Sequence, residues 1–307
     1  MAAASPHVRV LLPGEISPLR LGRTSSARGP LVQALRRTVS NPMGLFGIVV
    51  VSLLIIGAIA APLISPFDPI EQHPGSELLP PGGRFLLGTD NLGRDLLSRI
   101  IFGSRSSLLV GVVAVGLGAG LGIGSGLAAG YLGGWPDAVI MRLYDALLSF
   151  PAILLGIGVV SVLGSGPLSV AYALAIATIP TFARLMRARV LTERERDYVL
   201  AARCIGARAA RIMWQHVLPN AMAPLLIQIS LSMGFAILAE SALTFLGLGT
   251  QPPMPSWGGM LNESRAYLRT APSFGIFPGL ALACLLLGLN FLSDALRDAL
   301  DPRRTNA

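Results

Sequence analysis

Between Asp145 and Arg184 the sequence runs for 38 residues without a charged side chain. A hydrocarbon layer of about 30 Å is crossed by ~20 apolar residues, so this run is nearly two crossings long. Gly164-Ser165-Gly166-Pro167 supplies the turn that divides it, since glycine and proline punctuate helices. Further uncharged or nearly uncharged runs extend from Met43 to Ile64, Leu108 to Tyr131, Ala221 to about Leu248, and Ser273 to Leu292. Inside lipid every backbone N–H and C=O must find a partner within the segment, which each of these runs can do as a helix. With 52% of its 307 residues hydrophobic and 13% charged, the chain cannot be an ordinary soluble domain. The expectation is an all-α integral membrane protein with about six transmembrane helices.

The charges that remain are as informative as those that are missing. All 24 basic residues are arginine. Without lysine there is no phosphate-binding loop ending in Gly-Lys and no Schiff-base nucleophile. If ATP drives this protein, it is hydrolysed on another chain. Cys204 and Cys284 are too few for a disulfide framework or metal cluster, and His7, His73 and His216 have no ligand spacing. No Ser/His/Asp arrangement can be placed, so no catalytic site, metal or bound cofactor is expected, and no nucleic-acid partner. With both termini inside, eighteen arginines fall in cytoplasmic segments and six in outer loops. That bias orients the chain by the positive-inside rule. It places the protein in a cytoplasmic membrane as a multi-pass component.

Taken in order, residues 1–40 have one acidic residue, Glu15, and no apolar stretch leading to a cleavage site. They are expected to be a cytoplasmic tail rather than a cleaved signal, with Leu31 to Val39 able to lie on the membrane surface. Residues 41–66 are the first transmembrane helix. Residues 67–106 form an extracytoplasmic loop rich in proline that ends in an interfacial helix, where Arg94, Asp95 and Arg99 are expected to pair at the surface. Residues 107–304 make the core membrane domain. In its first helix Gly116, Gly120 and Gly124 recur every four residues, as do Gly118, Gly122, Gly126 and Gly130. Small residues at that spacing let helices approach closely in lipid. Pro151 is expected to kink the third helix, and Arg142 can pair with Asp145 three residues on. Glu240 lies towards the far end of the fifth span, as a polar group on the solute pathway or in a structural hydrogen bond.

A polar, arginine-dense island, residues 190–220, interrupts the apolar runs. From Asp197 to Asn220 it reads DYVLAARCIGARAARIMWQHVLPN. At 100° per residue Tyr198, Ala201, Ala202, Ile205, Ala209, Ile212 and Met213 share one face. Gly206 offers a bend, and Pro219 with Asn220 is expected to end the segment. An ordinary basic inner loop is the alternative reading of the same residues.

Several strings resemble the C-type permease subunit of binding-protein-dependent dipeptide, oligopeptide and nickel ABC importers. The island is similar to that family's cytoplasmic coupling loop, with Ala201, Ala202, Gly206, Leu218 and Pro219 in place. Leu200 stands where the family has glutamate, and His216 where it has isoleucine. Further likeness lies in LLGTDNLGRDLLSRIIFGSRSSLLVG from Leu86 to Gly111, in PDAVIMRLYDALLSFP, in LAESALTFLGLG, in PSWGGML and in the C-terminal FPGLALACLLLGLNFLSDALRDALDPR. The resemblance implies an ABC type I importer permease fold. It implies a homologous second permease, two cytoplasmic ATPase subunits holding ATP and magnesium, and an extracytoplasmic solute-binding protein as partners, with lipid around them. In it Asp197, Leu200, Ala201, Ala202, Gly206, Ile212, His216 and Pro219 would couple to the ATPases. Peptide transport is the function implied; nickel, opine or other small solutes are alternatives. A stand-alone channel, a secondary transporter or a membrane anchor are rivals of another class. The apolar, Gly or Ser character of the mid-span positions counts against ion coupling.

Overall fold

The computed structural model describes residues 37–300; the expected tail and surface helix at Leu31 to Val39 lie mostly outside them. Among the described residues the regular structure is helical, with only two isolated bridges, Gly82 to Phe85 and Thr89 to Asp95. Helix α1 is Pro42–Ile64. Asn41 caps it by accepting a hydrogen bond from the Met43 N–H at 3.0 Å, and Pro42 takes the first turn, where no N–H is needed. Helix α2, Leu96–Leu132, has 37 residues and so extends ~55 Å, well beyond one hydrocarbon thickness. The interfacial helix expected before residue 107 is therefore not a separate element. Asp95 caps it, accepting from the Ser98 N–H at 2.8 Å and the Ser98 hydroxyl at 2.7 Å, and the helix runs unbroken into the second span.

The third span is broken. Helices α3, Gly134–Leu148, and α4, Ala152–Leu163, meet at 92° across Ser149 to Pro151. The proline has no N–H to continue the ladder, so the kink expected at Pro151 is a full corner. Helix α5, Pro167–Glu193, follows the Gly164–Gly166 turn, and α6, Asp197–Cys204, starts the island. Helix α7, Ala209–Phe245, carries the fifth span. A short α8, Trp257–Ser264, and the final α9, Ser273–Leu300, complete the bundle. Five of these helices are long and apolar enough to cross a membrane, with the bent α3–α4 pair as a sixth.

The tightest packing joins α2 to α5, and the glycine ladder explains it for one stripe only. A Cβ on Gly122 would lie 2.6 Å from the Ile179 carbonyl oxygen and 2.6 Å from the Phe182 Cβ. Gly118, Gly126 and Gly130 likewise meet Thr178, Ala183 and Val190 of α5. Gly116, Gly120 and Gly124 have open space where a side chain would stand. The two stripes lie on different faces of α2, and among the described residues only the stripe Gly118, Gly122, Gly126 and Gly130 packs against a neighbour. Around this seam the main core gathers Val110, Ala114, Leu174, Phe182, Met186 and Leu225. Helix α9 packs on α1 and α7, where Gly47 and Gly288 allow close approach.

Candidate functional site

The island between α5 and α7 folds as a hairpin, and Gly206 is its pivot. The Ala207 N–H bonds the Ala202 carbonyl at 3.1 Å and the Gly206 N–H bonds the Arg203 carbonyl at 2.9 Å. This pair of bonds closes α6 in a Schellman motif, which requires a left-handed residue after the helix. Gly206 has φ +78° and no atom within 4 Å of where a Cβ would be. Its role is therefore torsional and not a matter of close contact.

The second arm is continuous with the membrane. Pro219 does not end the segment, as the sequence suggested; it lies inside α7. A proline there removes one donor from the helical ladder. The preceding Ile212–Val217 stretch adopts the wider π register, with the Leu218 N–H reaching back to the Met213 carbonyl. That offset absorbs the missing donor and lets the helix continue. The second arm of the hairpin and the fifth span are thus one continuous helix.

The seven residues expected on one face do not stay together. Ala202 and Ile212 turn inward with Val199 and Val217 and join the main core. Tyr198, Leu200, Ala201, Ile205 and Ala209 remain exposed, and Met213 is half-buried. Within α6 the helix packs on the side of Val199 and Ala202, and beyond it the turn and the π register break the constant 100° step on which that face was built. The outward surface instead carries Leu200, Ile205 at 85% exposure and Trp214 at 59%. Asp197 stands exposed in the first turn of α6, where a carboxylate suits the helix dipole.

Polar clamps hold the hairpin to the bundle. The Tyr198 hydroxyl donates to the Glu193 carboxylate at 2.7 Å and receives the Asn220 amide at 3.3 Å, joining the end of α5 to α7 through α6. Partial burial raises the Tyr198 phenol above its ordinary value, and the Glu193 contact adds to the shift. Asn220 also donates to the His216 carbonyl at 2.7 Å. Arg194 donates to the Gly130 carbonyl at 3.0 Å, and the Arg203 guanidinium lies 5.4 Å over the Tyr131 ring, both at the end of α2. Beside them Arg187 grips Asp137 with two hydrogen bonds, and Arg184 takes Asp145. The Arg142–Asp145 pair expected from sequence is replaced, because Asp145 points across to α5.

At the opposite end of the bundle the loop 65–95 is sealed by a buried charge cluster. Arg94 contacts Asp90 at 2.5 Å and Glu263 at 2.9 Å; Arg99 contacts Asp90 at 3.3 Å and Glu263 at 3.4 Å. Arg94, Arg99 and Asp90 are buried, not surface-exposed as expected, and Asp95 is committed to its cap. Two cations opposite two carboxylates satisfy one another where neither could stand alone. The cluster pins the loop and α2 to α8. There the buried Trp257 donates its indole N–H to the Ile100 carbonyl at 3.0 Å. Glu240 is also buried: Ser107 and Thr244 donate to its carboxylate at 3.0 Å and Ser241 at 3.3 Å. Of the three, the Ser107 hydroxyl ties α7 to α2, while Ser241 and Thr244 belong to α7 itself. Glu263 and Ser107 carry no local sequence signal for these roles, since their partners lie 133 to 169 residues away, whereas Asp90 and Thr244 each have a partner four residues off.

Broken and continuous apolar crossings, closed at one end by a charge-sealed loop and at the other by a clamped hairpin, define a polytopic membrane component. Residues 120–306 match the model of the binding-protein-dependent transport system inner membrane component. Residues 29–81 match the N-terminal transmembrane domain of oligopeptide transport permease C. The chain is 41% identical over 278 residues to the dipeptide transport system permease protein DppC of Alkalihalophilus pseudofirmus, covering 91% of each. It is 45% identical over 284 residues to the di/tripeptide transport system permease protein DppC of Pseudomonas aeruginosa, covering 91% of this chain and 94% of that one. It is 41% identical over 282 residues to the glutathione transport system permease protein GsiD of Pectobacterium atrosepticum, at 92% and 94% coverage. The chain belongs to the family of inner-membrane permeases of binding-protein-dependent transport systems, of the C type, with the type I importer permease fold.

Proposed function

We propose that this chain is the permease subunit of an ABC importer that carries short peptides across the cytoplasmic membrane. The observation that carries this reading is the 41–45% identity, over nine-tenths of the chain, to permeases named for dipeptides and di/tripeptides. The hairpin supplies the mechanical half. Its exposed Leu200, Ile205 and Trp214 would enter a groove on an ATPase, while Val199, Ala202 and Ile212 anchor it to the core. Closure of two partner ATPases on ATP would push the hairpin, and α7, continuous with it, would rock the bundle between inward-open and outward-open states. Leu200 in place of the family's glutamate makes this contact apolar. Glu193 and Glu195 are engaged by Tyr198 and Arg194, which leaves Asp197 as the acid nearest to replacing it. The chain itself hydrolyses nothing in this reading. A sister permease completes the pathway, and a solute-binding protein delivers to the loop end outside, with both termini in the cytoplasm.

The test is co-expression with the neighbouring transporter genes, purification, and ATPase assay with the binding protein. Dipeptides should stimulate turnover, and the purified subunit alone should show none. Stimulation by nickel chelates or opines without any by peptides would overturn the substrate class.

A further inference from the structure

Beside α1 runs a crevice that neither the hairpin nor the charge cluster uses. It encloses about 530 Å³ between Val51 and Ile55 of α1, Leu109 and Val112 of α2, Met233 of α7 and Leu285 of α9. The one charged side chain on its wall is Arg105. A second cleft of about 440 Å³ opens on the other side of Arg105 and reaches the loop at Asp68 to Ile70.

A defect in α1 fixes where this arginine sits. Pro62 has no N–H, so the Ala58 carbonyl four residues earlier loses its helical donor. The Arg105 Nε donates to that carbonyl at 2.5 Å, and Nη2 donates to the Ile59 carbonyl at 3.0 Å. Its guanidinium also lies 5.2 Å over the Phe102 ring. A guanidinium has five N–H groups. Two are used here, and among the described residues neither an acceptor for the other three nor a carboxylate within ion-pair distance is present. Ile59 lies five residues inside Ile64, the end of α1, or about 8 Å along the axis. The exposed cation thus stands about one and a half turns from the outer end of α1, with an apolar slot beside it.

We propose that Arg105 and this crevice bind one anionic phospholipid. The phosphate sits on the free N–H fork of Arg105, and an acyl chain lies along α1 against Ile55 and Val112. A planar guanidinium matches phosphate oxygens in pairs, and three N–H groups of Arg105 are left over beside a slot that offers no other charge. The slot accepts hydrocarbon because every other wall residue is apolar. The bound lipid would act as a wedge that completes the packing of α1, the least buried span at 22%. The assignment is independent of which solute is carried.

The experiment uses the transporter assembled with its partner subunits in phosphatidylcholine vesicles. Val112→Trp places a reporter in the slot, and the signal of the native tryptophans is subtracted using the unsubstituted transporter. Brominated phosphatidylglycerol should quench the reporter at roughly tenfold lower mole fraction than brominated phosphatidylcholine, the ratio expected from one added charge-assisted contact. Arg105→Lys should keep that preference and Arg105→Gln should remove it. Equal quenching by the two lipids with Arg105 present would overturn the proposal, and this comparison holds even if the glutamine variant fails to assemble. A preference that survives in Arg105→Gln would also overturn it. So would Arg105-dependent relief of quenching by a dipeptide, which would make the crevice a solute site.

Discussion

Substituting alanine for Gly122 and for Gly120 compares two residues one half-turn apart on one helix, and the bundle should treat them oppositely. At Gly122 a Cβ meets the Ile179 carbonyl oxygen and the Phe182 Cβ, each at 2.6 Å, and the Ala183 nitrogen at 3.1 Å. Ordinary contact begins near 3.4 Å, so α5 must retreat by about 0.8 Å (3.4 less 2.6). The obstacles are backbone and a Cβ, which no rotamer change can move. A retreat of α5 also opens the contacts at Gly118 and Gly126. Overpacking of this kind costs ~1–3 kcal/mol. Both alanines gain ~0.5–1 kcal/mol of helix propensity, a term that cancels between the variants. Gly122→Ala should therefore be less stable than Gly120→Ala by about 1–3 kcal/mol, and Gly120→Ala should match or exceed the parent. In a thermal-unfolding assay of the detergent-solubilised subunit this is a separation of roughly 2–12 °C, at ~2–4 °C per kcal/mol. Midpoints that coincide, or a larger loss at Gly120, would refute the assignment of the packing stripe.

Gly206→Asn should be tolerated better than Gly206→Val, since the φ of +78° admits asparagine but strains a β-branched residue by ~1 kcal/mol or more; ATPase co-purification of both variants reads this out. Ile205→Asp should leave the subunit inserted and paired with its sister permease yet reduce ATPase recovery in a pull-down, because Ile205 touches little within this chain. Glu240→Ala strands the Ser107 and Thr244 hydroxyls and should cost ~1–3 kcal/mol in the thermal assay, whereas Glu240→Gln keeps one acceptor and offers an N–H that the other hydroxyl can accept by rotating, and should transport normally if the residue is structural. Single cysteines at Ser76 and Thr305, with Cys204 and Cys284 removed, should be labelled by an impermeant reagent only at Ser76; labelling at Thr305 in intact cells would reverse the orientation.

The crossings themselves were legible in the sequence. Long uncharged runs admit few structures in lipid, so the helices, the Gly164–Pro167 turn and the corner at Pro151 follow from composition and local chemistry. The hairpin and its glycine were legible for the same reason: a left-handed turn after a helix is a local demand. What the sequence left open depends on rotation about helix axes and on distant partners. Two glycine stripes with the same four-residue spacing look alike along α2, and only the position of α5 decides which one is buried. Ala201 and Ala202 are neighbours about 100° apart on α6, and only the way that helix packs on the bundle decides that Ala202, with Val199, is buried and Ala201 left outside. Pro219 reads as a stop because a helix loses a donor there, and the wider register six residues long removes the penalty. Glu240, Arg94 and Arg99 read as interfacial charges, yet all three are buried, Glu240 against one hydroxyl on α2 and the two arginines against a carboxylate on α8. Hydrogen bonds and ion pairs act over about 3 Å regardless of sequence separation, so such partners are set only when the bundle closes.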